Sequence, residues 1–523
     1  MNLRLTLVAA AAVAATTVSV EAAPRVHHGV HRQLREQGKA NIVVTMKTKP
    51  TEALASLEST SFASRGDKIS HMVNKLETLA SESQREIDAL LSQESTVSLF
   101  EAEHKSWALN ARLFKGASAE LIDKLAGLAD VAEIRMEEVY QLHDEPAKIV
   151  ESTEANKIEW GVDRIGATKV WADGTFGAGV VVANIDTGVR YTHEIVKDSF
   201  RSDYNWYDPD FQTDKPYDNN GHGTHTMGTI AGAKGFGVAP GAKWIACLGC
   251  PSACPEFNLV KCGEFMTCPT DTKGQNKDCS KAPHVINNSW GGSGGRPYYQ
   301  PVVDAWHQAG IIPVFSQGNS GPECGTAGSP GDYANVIGVG ATASNETLAR
   351  FSSKGPAKSG LLKPDISAPG RYILSSFNGS DTQYANISGT SMAAPHVTGA
   401  IALILSANSS LKYNDVRTLL TSTTDQATLL PTNYTCDNTP DTVWPNNQYG
   451  HGRLNVFNAY QGFRPSPAPT TPAPTTSAPT PAPTPAPSTP APGFCAKIKT
   501  KGVCQFWFFC NWDSAVDSCL PRY

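Results

Sequence analysis

Three short segments of this 523-residue chain carry a carboxylate, an imidazole and a hydroxyl in settings suited to chemistry. Asp186-Thr187-Gly188 closes the apolar run GVVVANID (179–186). A carboxylate at the carboxyl end of a buried parallel strand faces the crevice where such sheets hold their sites. Gly221-His222-Gly223-Thr224-His225 sets a histidine between glycines, on a tight turn leading into a helical pattern. Ser388-Gly389-Thr390-Ser391-Met392-Ala393-Ala394-Pro395-His396 precedes the apolar run VTGAIALIL, which puts Ser391 at the start of a buried helix. There its oxygen lies near the positive end of the helix dipole and its N–H lacks an intrahelical partner. Pro395 falls in the early turns, where a missing N–H matters little. A fourth segment, Ser316-Gln317-Gly318-Asn319-Ser320-Gly321-Pro322, follows IIPVF and offers the Asn319 amide as a donor to a developing negative oxygen. Each has a plainer reading, Ser391 as a helix cap and Asn319 as a turn residue. As a set they are the parts needed for attack of a hydroxyl on a carbonyl carbon.

Rival chemistries fail on spacing. Aspartic proteases share one proton between two carboxylates on two D-T-G loops, and this chain has one. A zinc helix of the H-E-x-x-H type begins at His193-Glu194, but Lys197 stands where the second histidine belongs. Ala393 breaks the G-x-S-x-G elbow of α/β-hydrolases. No contiguous calcium loop of the EF-hand type is visible, and scattered ligands leave no pattern, so a structural calcium is open and unassigned. No cofactor is needed for the chemistry.

Elements that position these residues follow from the texture. KWIACL (243–248), HVINNSW (284–290), IIPVFS (311–316) and VIGVGA (336–341) are apolar runs without strict alternation, as strands buried on both faces read. GTHTMGTIAGA and PVVDAWHQAG supply helical crossovers, and the fold class is α/β, a mostly parallel sheet flanked by helices. Ahead of it, residues 23–150 read as a small α+β unit with a strand at 41–47, a helix over 67–92 and extended chain at 131–142. Residues 1–22, with Arg4, an apolar run and small residues, fit a secretory signal peptide. Residues 464–493 hold twelve prolines and read as a polyproline-like spacer. Residues 494–523 form a four-cysteine module with Phe506, Trp507, Phe508, Phe509 and Trp512 within seven residues. So small a unit needs disulfide staples, and rings left exposed would suit sugars or another surface target. The catalytic unit is placed at 151–463.

The segments Asp186-Thr187-Gly188, His222-Gly223-Thr224-His225 and Gly389-Thr390-Ser391-Met392-Ala393, in that order with gaps of 36 and 169 residues, resemble the three signatures of the subtilisin family. INNSWGG (286–292), QGNSGP and FSSKGPAKSGLLKPDISAPG (351–370) are similar to its bacillopeptidase F-like branch. The resemblance spans about residues 158–460. It implies a serine endopeptidase with Ser391 as nucleophile, His222 as general base, Asp186 as its orienting carboxylate and Asn319 in the oxyanion hole. Ser289, Trp290 and Gly291 match the strand that pairs with an extended peptide, although Trp290 is bulkier than the family's usual leucine. Residues 24 to about 150 resemble, more weakly, an inhibitory propeptide cut away by the enzyme itself. The alternative is a catalytically idle secreted protein that binds through its aromatic module.

Twelve cysteines in an exported chain read as disulfides. Eight lie between Cys247 and Cys436 and four at the end, and both even groups fit pairing within themselves. Cys247-x-x-Cys250 lacks the second knuckle of a zinc ribbon. The cysteine-rich stretch from Cys247 to Cys279 is expected to brace or rim the cleft. Six N-x-S/T sequons occur; Asn287 and Asn386 are expected to be bare, whereas Asn345, Asn378, Asn408 and Asn433 suit glycans if the host adds them. A net charge of −5 and a pI near 6.2 give no footprint for nucleic acid. The expected partners are polypeptide substrates and the chain's own propeptide, with no membrane span, for a monomer outside the cell.

Overall fold

The computed structural model describes residues 25–55, 61–93, 98–142, 145–150, 157–463, 510–513 and 518–521. The expected signal peptide and proline-rich spacer lie outside the described residues. Of the terminal module, two antiparallel strands, Cys510–Asp513 and Ser518–Pro521, are described.

The catalytic unit is built on a seven-stranded parallel sheet. In chain order the strands are β1 (Val181–Asp186), β2 (Trp206–Tyr207), β3 (Lys243–Leu248), β4 (Val285–Asn288), β5 (Ile312–Ser316), β6 (Ile337–Thr342) and β7 (Ile366–Pro369). They lie side by side as β7-β6-β5-β4-β1-β3-β2. From β1 the chain goes to the edge strand β2, returns to β3 between them, and then crosses to the other side of β1 at β4. That reversal is where such sheets open a crevice at their carboxyl ends. Five of these strands sit on the apolar runs read from the sequence. Short β2 and β7, which ends in Pro369, carry too little apolar pattern to announce themselves.

Four helices matter for the site: α1 (His222–Ala231), α2 (Glu256–Thr267), α3 (Gln300–Gln308) and α4 (Thr390–Ala407). Helix α4 is apolar on every side and runs through the core, against β4–β7 and α1. By length and composition it is apolar enough to cross a bilayer, yet 89% of it is buried inside the protein. A helix apolar all round belongs in such a core. The sheet's other face packs against α2 and α3.

The described residues between 25 and 142 form a separate five-stranded sheet with helices. Its strands run Arg25–Val26, Val131–Met136, Ala40–Met46, Ala111–Ala117, Ala102–Ser106, antiparallel except the first pair. The helix expected over 67–92 is two, Arg65–Ser83 and Arg85–Leu91. Ser64 caps the first by accepting the Asp67 N–H. Ile69, Met72, Val73 and Leu76 of that helix join one core with α2 and α3, so the two units share apolar surface.

Four disulfides staple the catalytic unit: Cys247–Cys262, Cys250–Cys254, Cys268–Cys279 and Cys324–Cys436. The first ties β3 to α2, the helix on which the N-terminal unit docks. Of the last four cysteines, Cys495 and Cys504 lie outside the described residues.

Candidate active site

Strand β1 delivers Asp186 to the crevice, 1% exposed. Its Oδ1 lies 2.6 Å from His222 Nδ1 and accepts the Thr187 N–H at 2.7 Å. The turn before α1 owes its shape to Asp218. One carboxylate oxygen accepts the N–H groups of Asn220 and Gly221 and the Thr187 hydroxyl, and the other accepts the Thr224 N–H and hydroxyl. Burial pushes the Asp218 carboxyl above its usual range, against the pull of these donors. Gly221 takes φ 103°, the left-handed region that favours glycine, and a Cβ there would strike the Phe377 ring. His222 thus starts α1 facing Asp186, while His225, one turn on, bonds the carbonyls of Ile373 and Ala385. The two histidines do not converge, as shared metal ligands would.

Ser391 is the second residue of α4 and 5% exposed, its Oγ 3.4 Å from the Ser289 carbonyl. Asn319 stands beside it. Its Oδ1 accepts the Thr390 N–H at 2.9 Å and the Thr390 hydroxyl at 2.8 Å, and Thr390 Oγ1 accepts the Gly318 N–H. Ser391, Asn319, Ser289, Trp290 and Gly291 all line one groove of about 620 Å³. Helix α1, carrying His222, packs along α4.

That groove is not empty of the chain's own residues. Glu138–Leu142 line it together with Ser391, and Val139–Tyr140 pairs antiparallel with Cys254–Pro255 of the cysteine-rich stretch. The Tyr140 ring is 5% exposed, stacked on Trp290 with centroids 6.5 Å apart and tilted against Tyr298 at 5.7 Å. Gly292 makes room for it, since a Cβ there would run into the ring. Past Ser391 the Glu145 N–H donates to the Ser388 carbonyl at 3.2 Å. Lys148–Val150 then pairs antiparallel with Tyr384–Ile387. Polar contacts hold the N-terminal unit in place: Arg135 donates twice to Glu256, at 2.7 and 2.6 Å, and His104 lies 2.7 Å from Glu264.

Residues 177–452, just over half the chain, match the model of the subtilase family. The chain belongs to the subtilase family of serine-type endopeptidases. Subtilisin DY of Bacillus licheniformis is 33% identical to this subtilase over 315 residues, 59% of this chain and 100% of that protein. Bacillopeptidase F of Bacillus subtilis (strain 168) is 37% identical over 423 residues, 75% of this chain. The matched stretch is 28% of bacillopeptidase F's length. Serine protease AprX of Bacillus subtilis (strain 168) is 34% identical over 326 residues, 55% of this subtilase and 67% of AprX.

Three contributors to the site carry no motif of their own. Asp218 shapes the α1 turn, Thr390 fixes the Asn319 amide, and Tyr140 fills the groove. Thr390 is visible in Gly-Thr-Ser, but which side chain it orients is not. Of the six sequons, Asn287 is fully buried and Asn378 already donates its amide to the Asp218 carbonyl.

Proposed function

We propose that this subtilase hydrolyses peptide bonds of extended polypeptides through Ser391, His222 and Asp186. The observation that carries this reading is the 2.6 Å Asp186–His222 pair at the start of a helix that packs along α4, whose Ser391 lines a groove that the chain's own Glu138–Leu142 also line. His222 takes the Ser391 proton as Oγ bonds to the substrate carbonyl carbon. Asp186 holds the ring and stabilises its charged form. The negative oxygen receives the Asn319 amide and the Ser391 N–H. His222 then gives its proton to the leaving amine as the C–N bond breaks, and water releases the acyl group by the same steps in reverse. No metal or cofactor enters these steps. Ser289, Trp290 and Gly291 pair with the substrate backbone. Pairing of that kind tolerates many sequences, while the Trp290 wall that receives Tyr140 favours a large apolar side chain.

The enzyme is made as an exported zymogen. Residues up to Leu142 act as the inhibitor, and the self-cut falls between Leu142 and Glu145, because Leu142 lines the groove that Ser391 also lines and the Glu145 N–H bonds the Ser388 carbonyl. The disulfides suit an oxidising compartment. The terminal module, after its spacer, serves to hold the enzyme on a sugar or other surface target. Expression of Ser391→Ala tests the core of this reading: an intact precursor supports it. A variant that matures like the wild type assigns the cut to another protease.

A further inference from the structure

Strand β1 carries an asparagine where its neighbours are Val, Ala and Ile. Asn184 is fully buried two residues before Asp186, so both side chains point to the same face of the strand. An amide in such a place needs every partner it can find, and Asn184 finds three. Its Nδ2 donates to Thr226 Oγ1 at 2.9 Å and to the Gly223 carbonyl at 3.3 Å, and its Oδ1 accepts from Asn287 Nδ2 at 2.9 Å. Asn287 sits opposite it on β4 and donates also to Ser289 Oγ at 2.9 Å. Ser289 Oγ donates to the Ser391 carbonyl at 2.8 Å. At the other end, Thr226 Oγ1 lies 3.3 Å from Asp186 Oδ2 and 3.1 Å from the Gly223 carbonyl. A buried run of hydrogen bonds therefore joins the Asp186 carboxylate to the backbone of Ser391 from behind the groove.

The threonine has a single proton and two acceptors within reach. Asn184 donates to Thr226 Oγ1, so the hydroxyl proton turns away from the amide and is shared between the Gly223 carbonyl and Asp186 Oδ2, while Oδ1 faces His222. Resting on the triad reading above, we propose that Asn184 is a positioning residue. Through Thr226 it fixes the Asp186 carboxylate, and through Asn287 and Ser289 it holds the start of α4, so that imidazole and hydroxyl meet in register. Fully satisfied buried networks rigidify what they connect, and misplacement of a reacting group by about 1 Å lowers rates about 100-fold. Among ionisable groups on the surrounding elements, Asp218 is bonded to Thr187 and Thr224, and His225 to the Ile373 and Ala385 carbonyls. Neither joins the run.

The test compares Asn184→Leu, Thr226→Val, the double variant and Thr226→Ser, with rates per active site titrated by a fluorophosphonate. Each of the first two is expected to lower kcat by about 10- to 100-fold with KM within about twofold. Without the threonine proton, the Asp186 charge bears more fully on His222, the imidazolium is favoured, and the acid limb of kcat/KM moves to higher pH. The double variant is no worse than the worse single one, as expected for members of one network, and Thr226→Ser restores the limb. Wild-type kcat and an unmoved limb in both single variants overturn the proposal, as does a loss carried by KM. Should Asn184→Leu not fold, Thr226→Val and Thr226→Ser decide between the same two outcomes. If the wild-type protein itself is not labelled at Ser391, the triad reading has failed instead.

Discussion

Replacing Asn319 separates what its amide does for structure from what it does for the reaction. Its Oδ1 accepts two hydrogen bonds from Thr390, so Asn319→Asp keeps those acceptors in place and preserves the loop. What the change removes is the NH₂, and it adds a negative charge beside the oxygen that becomes negative in the transition state. Loss of one oxyanion donor lowers kcat by about 10²–10³, about 2.7–4 kcal/mol, a figure carried over from a subtilisin. Asn319→Ala is expected to show that loss. It should also show a fall in stability of about 1–3 kcal/mol, because the Thr390 N–H loses its acceptor. Asn319→Asp is expected to lose at least as much kcat as Asn319→Ala while keeping more of the stability. The assay is steady-state hydrolysis of a peptide library member at saturating and limiting concentration, normalised to titrated sites, with urea unfolding alongside. A kcat within about threefold of wild type in either variant, or a loss seen only in KM, refutes the assignment of Asn319.

The N-terminal unit offers a second handle. Tyr140→Ala removes a buried ring from the groove, a loss of about 3–5 kcal/mol by analogy with aromatic-to-alanine changes in cores; the cleaved unit should then inhibit the mature enzyme far more weakly in a competition assay, and equal inhibition would contradict its role as anchor. His284 accepts the Val181 N–H at 3.0 Å, and burial, aided by nearby Arg65, lowers its pKa to about 4. A base depressed in the folded state destabilises it as pH falls from about 6.5 towards 4, by up to about 3 kcal/mol. Melting of the Ser391→Ala precursor across that range should show the decline, and His284→Asn should flatten it. Removing Cys324–Cys436 as a double serine variant opens a loop of 112 residues, worth about 4.7 kcal/mol, and an unchanged Tm would show that the loop is held by packing alone.

Much of the catalytic unit is legible in the sequence because buried parallel strands write their burial into continuous apolar runs. VVANID and KWIACL give their strands almost residue for residue, and the glycines around His222 give the start of α1. What is not legible depends on distant partners. Nothing near Asn184 says that Asn287 lies across from it, since that follows from β1 and β4 becoming neighbours about 100 residues apart. Tyr140 reads as one more residue of an extended run until Trp290 and Gly292 are seen around it. The resemblance places Trp290 on the substrate strand without giving what surrounds it; in the structure the Tyr140 ring stacks on it. The helix over 67–92 reads as one because its apolar spacing continues through Gln84, whose buried amide turns to Asn110 and breaks the run.

The relay of Asp186, His222 and Ser391 is tested most directly by labelling the mature protein with a fluorophosphonate and mapping the adduct by peptide mass spectrometry. Stoichiometric modification of Ser391, abolished in His222→Ala while the fold by circular dichroism is retained, is the expected result. An unmodified Ser391 in folded, mature protein, or labelling that persists without His222, would contradict it.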